Sequence, residues 1–228
     1  MIDLDNLELN IESYKQLVGT PVPHNSPDVD IDMYEKLLAG AISIRANGAA
    51  FSKIKPVIIS MIEWLRNNDF YTAPASTKYH ESYPAGLLEH SLNVYNYMME
   101  LLKLRSFSKI NVGSATLVAL THDWCKIGKY ESYTKNVKEG GVWVERSAYK
   151  CKENTVGLGH GPQSLMMVTQ FCYSSATKLT FDEMAAIRWH MYTYDVTSYD
   201  IRDLNDCSNN IPLVKCLQFA DQLATANF

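Results

Sequence analysis

Histidine is scarce in this chain, six residues in all, yet five of the six fall between His80 and His190. Imidazole nitrogens exchange protons near neutral pH and bind divalent transition metals, so such a concentration raises the prospect of metal-centred chemistry. A single histidine on an apolar helix face is more often a hydrogen-bonded core residue, so none of His80, His90, His160 or His190 carries that argument alone. The adjacent pair His122-Asp123 is harder to explain as packing. It closes the apolar run ATLVAL, where an ionised carboxylate is costly unless it is paired. A cation would supply the partner. Asp221 interrupts an apolar stripe near the end of the chain and poses the same problem, with the same solution. His24, in a proline-rich loop away from this group, reads as a plain loop residue.

Helices must bring these residues together. Between 84 and 104, Leu88, Leu92, Tyr95, Met99 and Leu102 recur at steps of four and three, one face of an amphipathic helix with His90 near its start. The stretch 112–126 is apolar all round and predicts a central helix, with His122 and Asp123 in its last turns and Gly128 beyond its end. Between 131 and 150 the period changes. β-Branched and aromatic residues flank Glu139-Gly140-Gly141, which predicts a β-hairpin standing beside the site as a flap. A helix is expected from about Pro162, just after His160. Thr180-Phe181-Asp182-Glu183 has the capping-box pattern and opens the helix that carries His190. The last helix runs from Pro212 and buries Val214, Leu217 and Ala224. Upstream, the first organised stretch spans 30–68, with two helices, the second opening after Pro56. The expected fold is mainly α, with a helical extension over residues 1–78 packed on a domain over 79–228.

The order H, HD, H, H, D is carried by His90 in YPAGLLEHSLNV, His122-Asp123 in ALTHDWCKIGKY, His160 in GLGHGPQS, His190 in IRWHMYTYD and Asp221 in LQFADQLATA. With the HDxxKxGK run, it resembles the two-metal members of the HD superfamily of metal-dependent phosphohydrolases, over residues 79–225. The resemblance implies an HD-domain helical bundle with a small β-hairpin insertion. It implies that His90, His122, Asp123 and Asp221 ligate one ion, and that Asp123 bridges to a second completed by His160 and His190. The ions would be divalent transition metals, iron, manganese, cobalt, nickel or zinc, with magnesium an option at one site. Cys125 is not needed as a ligand. Lys126 matches the lysine that follows the HD pair in the family and would stabilise charge on a phosphoryl oxygen. The plainer reading of Lys126 is a surface lysine offsetting the helix dipole, a role expected of Lys129. His80 is expected to contact the substrate or donate a proton, an exposed loop histidine being the alternative. The implied activity is hydrolysis of a phosphoester by a hydroxide held between the ions, with Asp123 and Lys126 as catalytic residues.

Composition narrows the partners. A net charge of −4 and a pI near 5.9 provide no broad basic surface for a long duplex. A small phosphorylated substrate is expected, a nucleotide first and a short single-stranded nucleic acid second. Trp143 and Tyr149 on the flap would stack on a base or simply pack across strands. Met98-Met99 and Met166-Met167 read as core filling. The five cysteines form no CxxC pair and read as reduced. The acidic first ten residues do not look like a secretory signal, and no apolar stretch reaches membrane-spanning length, so a cytoplasmic protein away from membranes is expected. Two rivals stand beside hydrolysis: a di-iron oxygenase using the same ligands, and a non-catalytic ligand-binding protein on the same scaffold.

Overall fold

The computed structural model describes residues 1–23, 27–153 and 157–226, so His24 lies outside the described residues. Among them are nine α-helices and one two-stranded antiparallel ribbon, a mainly α fold with a small hairpin. No helix among them is long and apolar enough to cross a membrane.

The chain is helical earlier than its sequence suggested. Helix α1 (Leu7–Leu17) buries Leu7, Ile11 and Tyr14, an i, i+4, i+7 stripe that its acidic and amide neighbours obscure. Helix α2 (Pro27–Arg45) lies deep in the core, with Leu37, Leu38, Ala41 and Ile42 free of solvent. Helix α3 (Phe51–Arg66) starts before Pro56 instead of after it. The missing Pro56 N–H leaves the Ser52 carbonyl without a helical partner, but both residues are exposed and water can serve it. The buried Glu35 carboxylate ties this region together, accepting from Arg66 Nε at 2.8 Å, Tyr71 Oη at 3.0 Å and the Ile2 amide at 2.9 Å.

Helix α4 (Gly86–Leu101) packs against α5 (Val112–Thr121), which is buried nearly all round, as its apolar sequence requires. Tyr34 of α2 anchors the end of α5, donating to the Leu120 carbonyl at 2.6 Å and accepting from Trp124 Nε1 at 3.1 Å. Helix α5 stops at Thr121, short of the expected 126. His122 and Asp123 lie beyond it and a 3₁₀ turn follows at Trp124–Lys126. The cause is local: the Ala119 carbonyl, which a continuing helix would offer to the Asp123 amide, accepts the His122 ring N–H.

Strands β1 (Tyr130–Glu139) and β2 (Val142–Cys151) pair from Tyr130 opposite Cys151 to Glu139 opposite Val142. The turn between them needs left-handed backbone, and Gly140 (φ 56°) and Gly141 (φ 89°) adopt it without strain. The ribbon leaves the body directly after the 3₁₀ turn, and Trp143 near its tip is exposed.

Helices α6 (His160–Thr169) and α7 (Phe181–Trp189) come next. Thr180 and Glu183 form the full reciprocal capping box at the start of α7. The Glu183 carboxylate also pairs with Arg45 in the interior, locking α7 to α2. Helix α8 (Ile201–Asn210), which no sequence signal had marked, leads into α9 (Pro212–Thr225), where Val214 and Leu217 are fully buried and Ala224 is partly so.

Close approach of α6 to α7 depends on Gly161, where a Cβ atom would lie 2.0 Å from the Arg188 carbonyl oxygen. Gly161→Ala is therefore expected to push the two helices apart and destabilise the fold by about 1–3 kcal/mol. A thermal melt checks this; an unchanged midpoint would mean that α6 is free to shift without cost.

Candidate metal centre

Five segments deliver the polar side chains to one buried place. His90 comes from the second turn of α4, and His122 and Asp123 from the end of α5. His160 is the first residue of α6, His190 follows the last residue of α7, and Asp221 projects from α9. His90, His122, Asp123 and His190 are buried. His90 Nε2 lies 3.2 Å from Asp221 Oδ1 and 3.5 Å from Asp123 Oδ2. His122 Nε2 lies 3.5 Å from Asp123 Oδ2 and 3.8 Å from Asp221 Oδ1. The other oxygen of Asp123, Oδ1, faces His190 Nε2 at 3.5 Å. Candidate ligand atoms of His90, His122 and Asp221 all lie within 4.8 Å of one another, and so do those of Asp123, Cys125 and His160. The structure thus gathers all six expected ligand residues, with Asp123 Oδ2 turned toward His90 and His122 and its Oδ1 toward His190.

Two histidines are held in the tautomer a metal requires. His122 Nδ1 is 2.8 Å from the Ala119 carbonyl and His190 Nδ1 is 2.8 Å from the Ile187 carbonyl. A carbonyl can only accept, so each Nδ1 carries the hydrogen and each Nε2 is left to act as a base or ligand. His160 is placed differently. Its Nε2 accepts from Lys129 Nζ at 2.9 Å, and its Nδ1 is buried without a partner. Lys129 is therefore half-buried at the site, not on the open surface where the sequence had put it.

Lys126 is buried as well, which removes its reading as a surface lysine, and its Nζ lies 2.6 Å from Asp123 Oδ2. His80 sits on the loop before α4 with its ring centroid 4.9 Å from that of His90, and its Nε2 is buried and unpartnered. The Cys125 thiol lies 4.0 Å from Asp123 Oδ1. Burial and the Asp123 charge push its pKa up to about 12, so without an ion it stays a thiol. Neither the proximity of Cys125 nor that of Lys129 has a sequence signature, because both depend on how the turn after α5 folds back. All five cysteines are free, and Cys151, on β2, is exposed.

The electrostatics describe a site balanced by protons. Burial alone would raise the pKa of Asp123, but the Lys126 charge and the imidazoles His122 and His190 hold it well below the usual carboxylate range. Asp221 is lowered too, with burial again opposing and the hydrogen bond from His90 prevailing. Burial works against charge on His90, yet Asp123 and Asp221 overcome it and push its pKa up to about 9. His190 is raised against burial by Asp123. The Lys126 ammonium, disfavoured by burial, is kept by Asp123. The buried Asp123 and the half-buried Asp221 carboxylates are thus offset by one lysine and by protons on imidazole nitrogens. Divalent ions could take over the place of those protons. The donor set fits: imidazole and carboxylate suit zinc, manganese, iron, cobalt or nickel, and His190 Nε2 has no hydrogen-bond partner of its own.

Comparison with protein-family models, with curated proteins and with solved structures returns no match.

A pH dependence follows with a definite sign. His90 has its folded pKa raised from 6.5 to about 9, so its contribution to stability is complete below 6.5 and lost as the pH rises through 9. Asp123 and Asp221 are lowered, so theirs is present above the usual carboxylate range and lost on acidification. Urea denaturation of the chelator-treated protein is expected to give falling stability across the interval from about pH 6.5 to about 9. Zinc affinity should rise over the same interval as His90 sheds its proton; an affinity independent of pH there would put the ion elsewhere.

Proposed function

We propose that the chain is a metal-dependent phosphohydrolase of the HD type, cleaving a phosphoester bond in a nucleotide or short oligonucleotide. The observation that carries this reading is the position of Asp123, whose Oδ2 faces His90 and His122 while its Oδ1 faces His190. One ion would be held by His90, His122, Asp123 and Asp221, and a second by Asp123, His160 and His190. Such ions supply an acidified water and the positive charge that holds phosphoryl oxygens.

The remaining work falls to the chain's own residues. Lys126 is a preorganised cation in a dry place, where neutralising charge on a transferring phosphoryl group is far more effective than in water. His80 has its pKa drawn down to about 4 by burial and by the neighbouring His90 charge. At neutral pH it is therefore an uncharged imidazole, suited to donating one hydrogen bond to a substrate oxygen and poorly suited to acting as a cationic acid. Lys129 must release His160 before that ring can serve an ion, and its ammonium then stands free beside the site. The ribbon is rooted next to Lys129 and Tyr130 and carries half-buried Tyr149 near that root, opposite Ser132, and exposed Trp143 near its tip, opposite Lys138, so Tyr149 is the ring that a base extending from the centre would meet first. Five free thiols are in keeping with the cytoplasm as its home.

Asp123→Ala is expected to abolish turnover and to remove most bound metal. Lys126→Ala should keep both ions yet lower the hydrolysis rate by about two to three orders of magnitude, the loss typical of one preorganised electrostatic partner. Elemental analysis and turnover of nucleotides, cyclic nucleotides and short RNA and DNA, with several divalent metals, check both. Two ions per chain retained in Asp123→Ala would refute the bridging role. An undiminished rate in Lys126→Ala would remove phosphoryl stabilisation by that lysine, and absence of hydrolysis by the unmodified chain with every metal would favour oxygenase chemistry at the same ligands.

A further inference from the structure

We infer that Glu81 is a positioning residue of the metal centre: its carboxylate takes the Nδ1–H of His90 and thereby keeps His90 Nε2 turned to the ion. The inference rests on the metal-centre reading above and adds a residue that no sequence motif marks.

The three buried histidines of the centre present the same requirement but meet it differently. His122 and His190 each give Nδ1–H to the carbonyl three residues earlier, at 2.8 Å. His90 lies near the start of α4, where no helix end supplies a free carbonyl. Its Nδ1 is buried and has no hydrogen-bond partner among the described residues. The group that faces it is Glu81 Oε2, 3.8 Å away, an oxygen that is likewise buried and unpartnered. A donor and an acceptor are thus left facing each other, somewhat beyond bonding distance, behind a proposed ligand. Carboxylate behind imidazole behind metal is a general arrangement for fixing the ring and raising its basicity.

The loop carrying Glu81 is built to keep it there. Its Oε1 accepts from Asn93 Nδ2 of α4 at 3.3 Å, and its backbone carbonyl accepts from the Ala75 amide at 3.0 Å. The same carbonyl lies against Gly86, where a Cβ would come within 2.0 Å of it. Glu81 itself (φ 39°) and Ala85 (φ 65°) take left-handed backbone, unusual for residues with side chains and costly unless the surroundings impose it. Such strain around one carboxylate is not expected of a loop that only connects α3 to α4. A further ion among His80, Glu81 and His90, whose ligand atoms also lie within 4.8 Å of one another, is the competing use of these atoms. It would put a cation on both nitrogens of the His90 ring, which demands an imidazolate, so the hydrogen bond is preferred.

The test measures zinc affinity by competition with a chromophoric chelator in the full chain. A His160→Ala background removes the second site and leaves the one that includes His90. Glu81→Met should raise the zinc dissociation constant by about 10- to 100-fold, the usual effect of losing a hydrogen-bond partner behind a ligand. Glu81→Gln, whose amide oxygen can still accept from Nδ1–H, should raise it less. The melting temperature of the ion-free protein should barely move in Glu81→Gln. Unchanged zinc affinity in Glu81→Met would overturn the inference. So would a second zinc per chain in that background, lost in both variants, or a lower melting temperature with equal affinity losses in both, which would make Glu81 a brace for the loop. Absence of zinc binding in the unmodified chain would overturn the metal reading itself, a result distinct from all of these.

Discussion

Two carboxylates, buried Asp123 and half-buried Asp221, face each other's neighbours across one polar pocket, and burial works against the charge of each unless it is compensated. Much of the surrounding architecture answers that demand. Lys126 reaches back from the 3₁₀ turn, His90 arrives from α4, His122 from the end of α5 and His190 from the end of α7. Hydrophobic burial alone would favour replacing the whole set by aliphatic side chains. Its presence at the meeting point of five segments therefore argues for a use that requires charge.

The ends of helices provide the geometry. A helix leaves its last carbonyls without intrahelical partners, and α5 and α7 give one each, Ala119 and Ile187, to the ring of the histidine that follows. A single bond thus ends the helix, orients the imidazole and decides which nitrogen faces inward. The α4 side has no such carbonyl at His90 and relies on a strained loop. Close approach completes the set: Gly86 admits the Glu81 carbonyl, and Gly161 admits the Arg188 carbonyl so that α6 can bring His160 in. A methyl group at either position would meet a backbone oxygen at 2.0 Å and force the segment that carries Glu81 or His160 to shift.

How far the sequence revealed this depended on whether a feature is local. Gly140-Gly141 between β-forming runs announced the hairpin because positive φ is a property of two residues. Thr180 and Glu183 announced the start of α7 because a capping box spans four. His122-Asp123 and Asp221 stood out because an ionised group in an apolar helical run is expensive, whereas His90, His160 and His190 were added by the resemblance to a known ligand order; the structure gathers all six residues. Features set by tertiary partners did not show. Helix α1 hides a three-residue stripe among acids and amides, and α3 absorbs Pro56 because the carbonyl it orphans faces water. The early end of α5 follows from a side chain bonding to a carbonyl, which hydrophobic periodicity does not register. Lys129, Cys125 and Glu81 lie beside the centre only because turns fold back on it. Lys129 in particular looked like any lysine near a helix end.

The same charges bear on which chemistry suits the place. Without ions, one ammonium and the imidazole protons offset two carboxylates. On the hydrolase reading, divalent ions replace those protons, and Lys126 and Lys129 remain, so positive charge exceeds negative in a site with little water to screen it. An anionic ligand then binds with an advantage that a neutral one lacks, and a phosphoester brings both the charge and several oxygens to share it. Oxygen activation can use the same six residues, and there the ammonium 2.6 Å from Asp123 would serve only to compensate that carboxylate. A lysine held there is unfavourable in the presence of two cations unless a third anion joins Asp123 and Asp221. It is on this requirement, more than on the ligand set, that the proposal of a phosphorylated substrate rests.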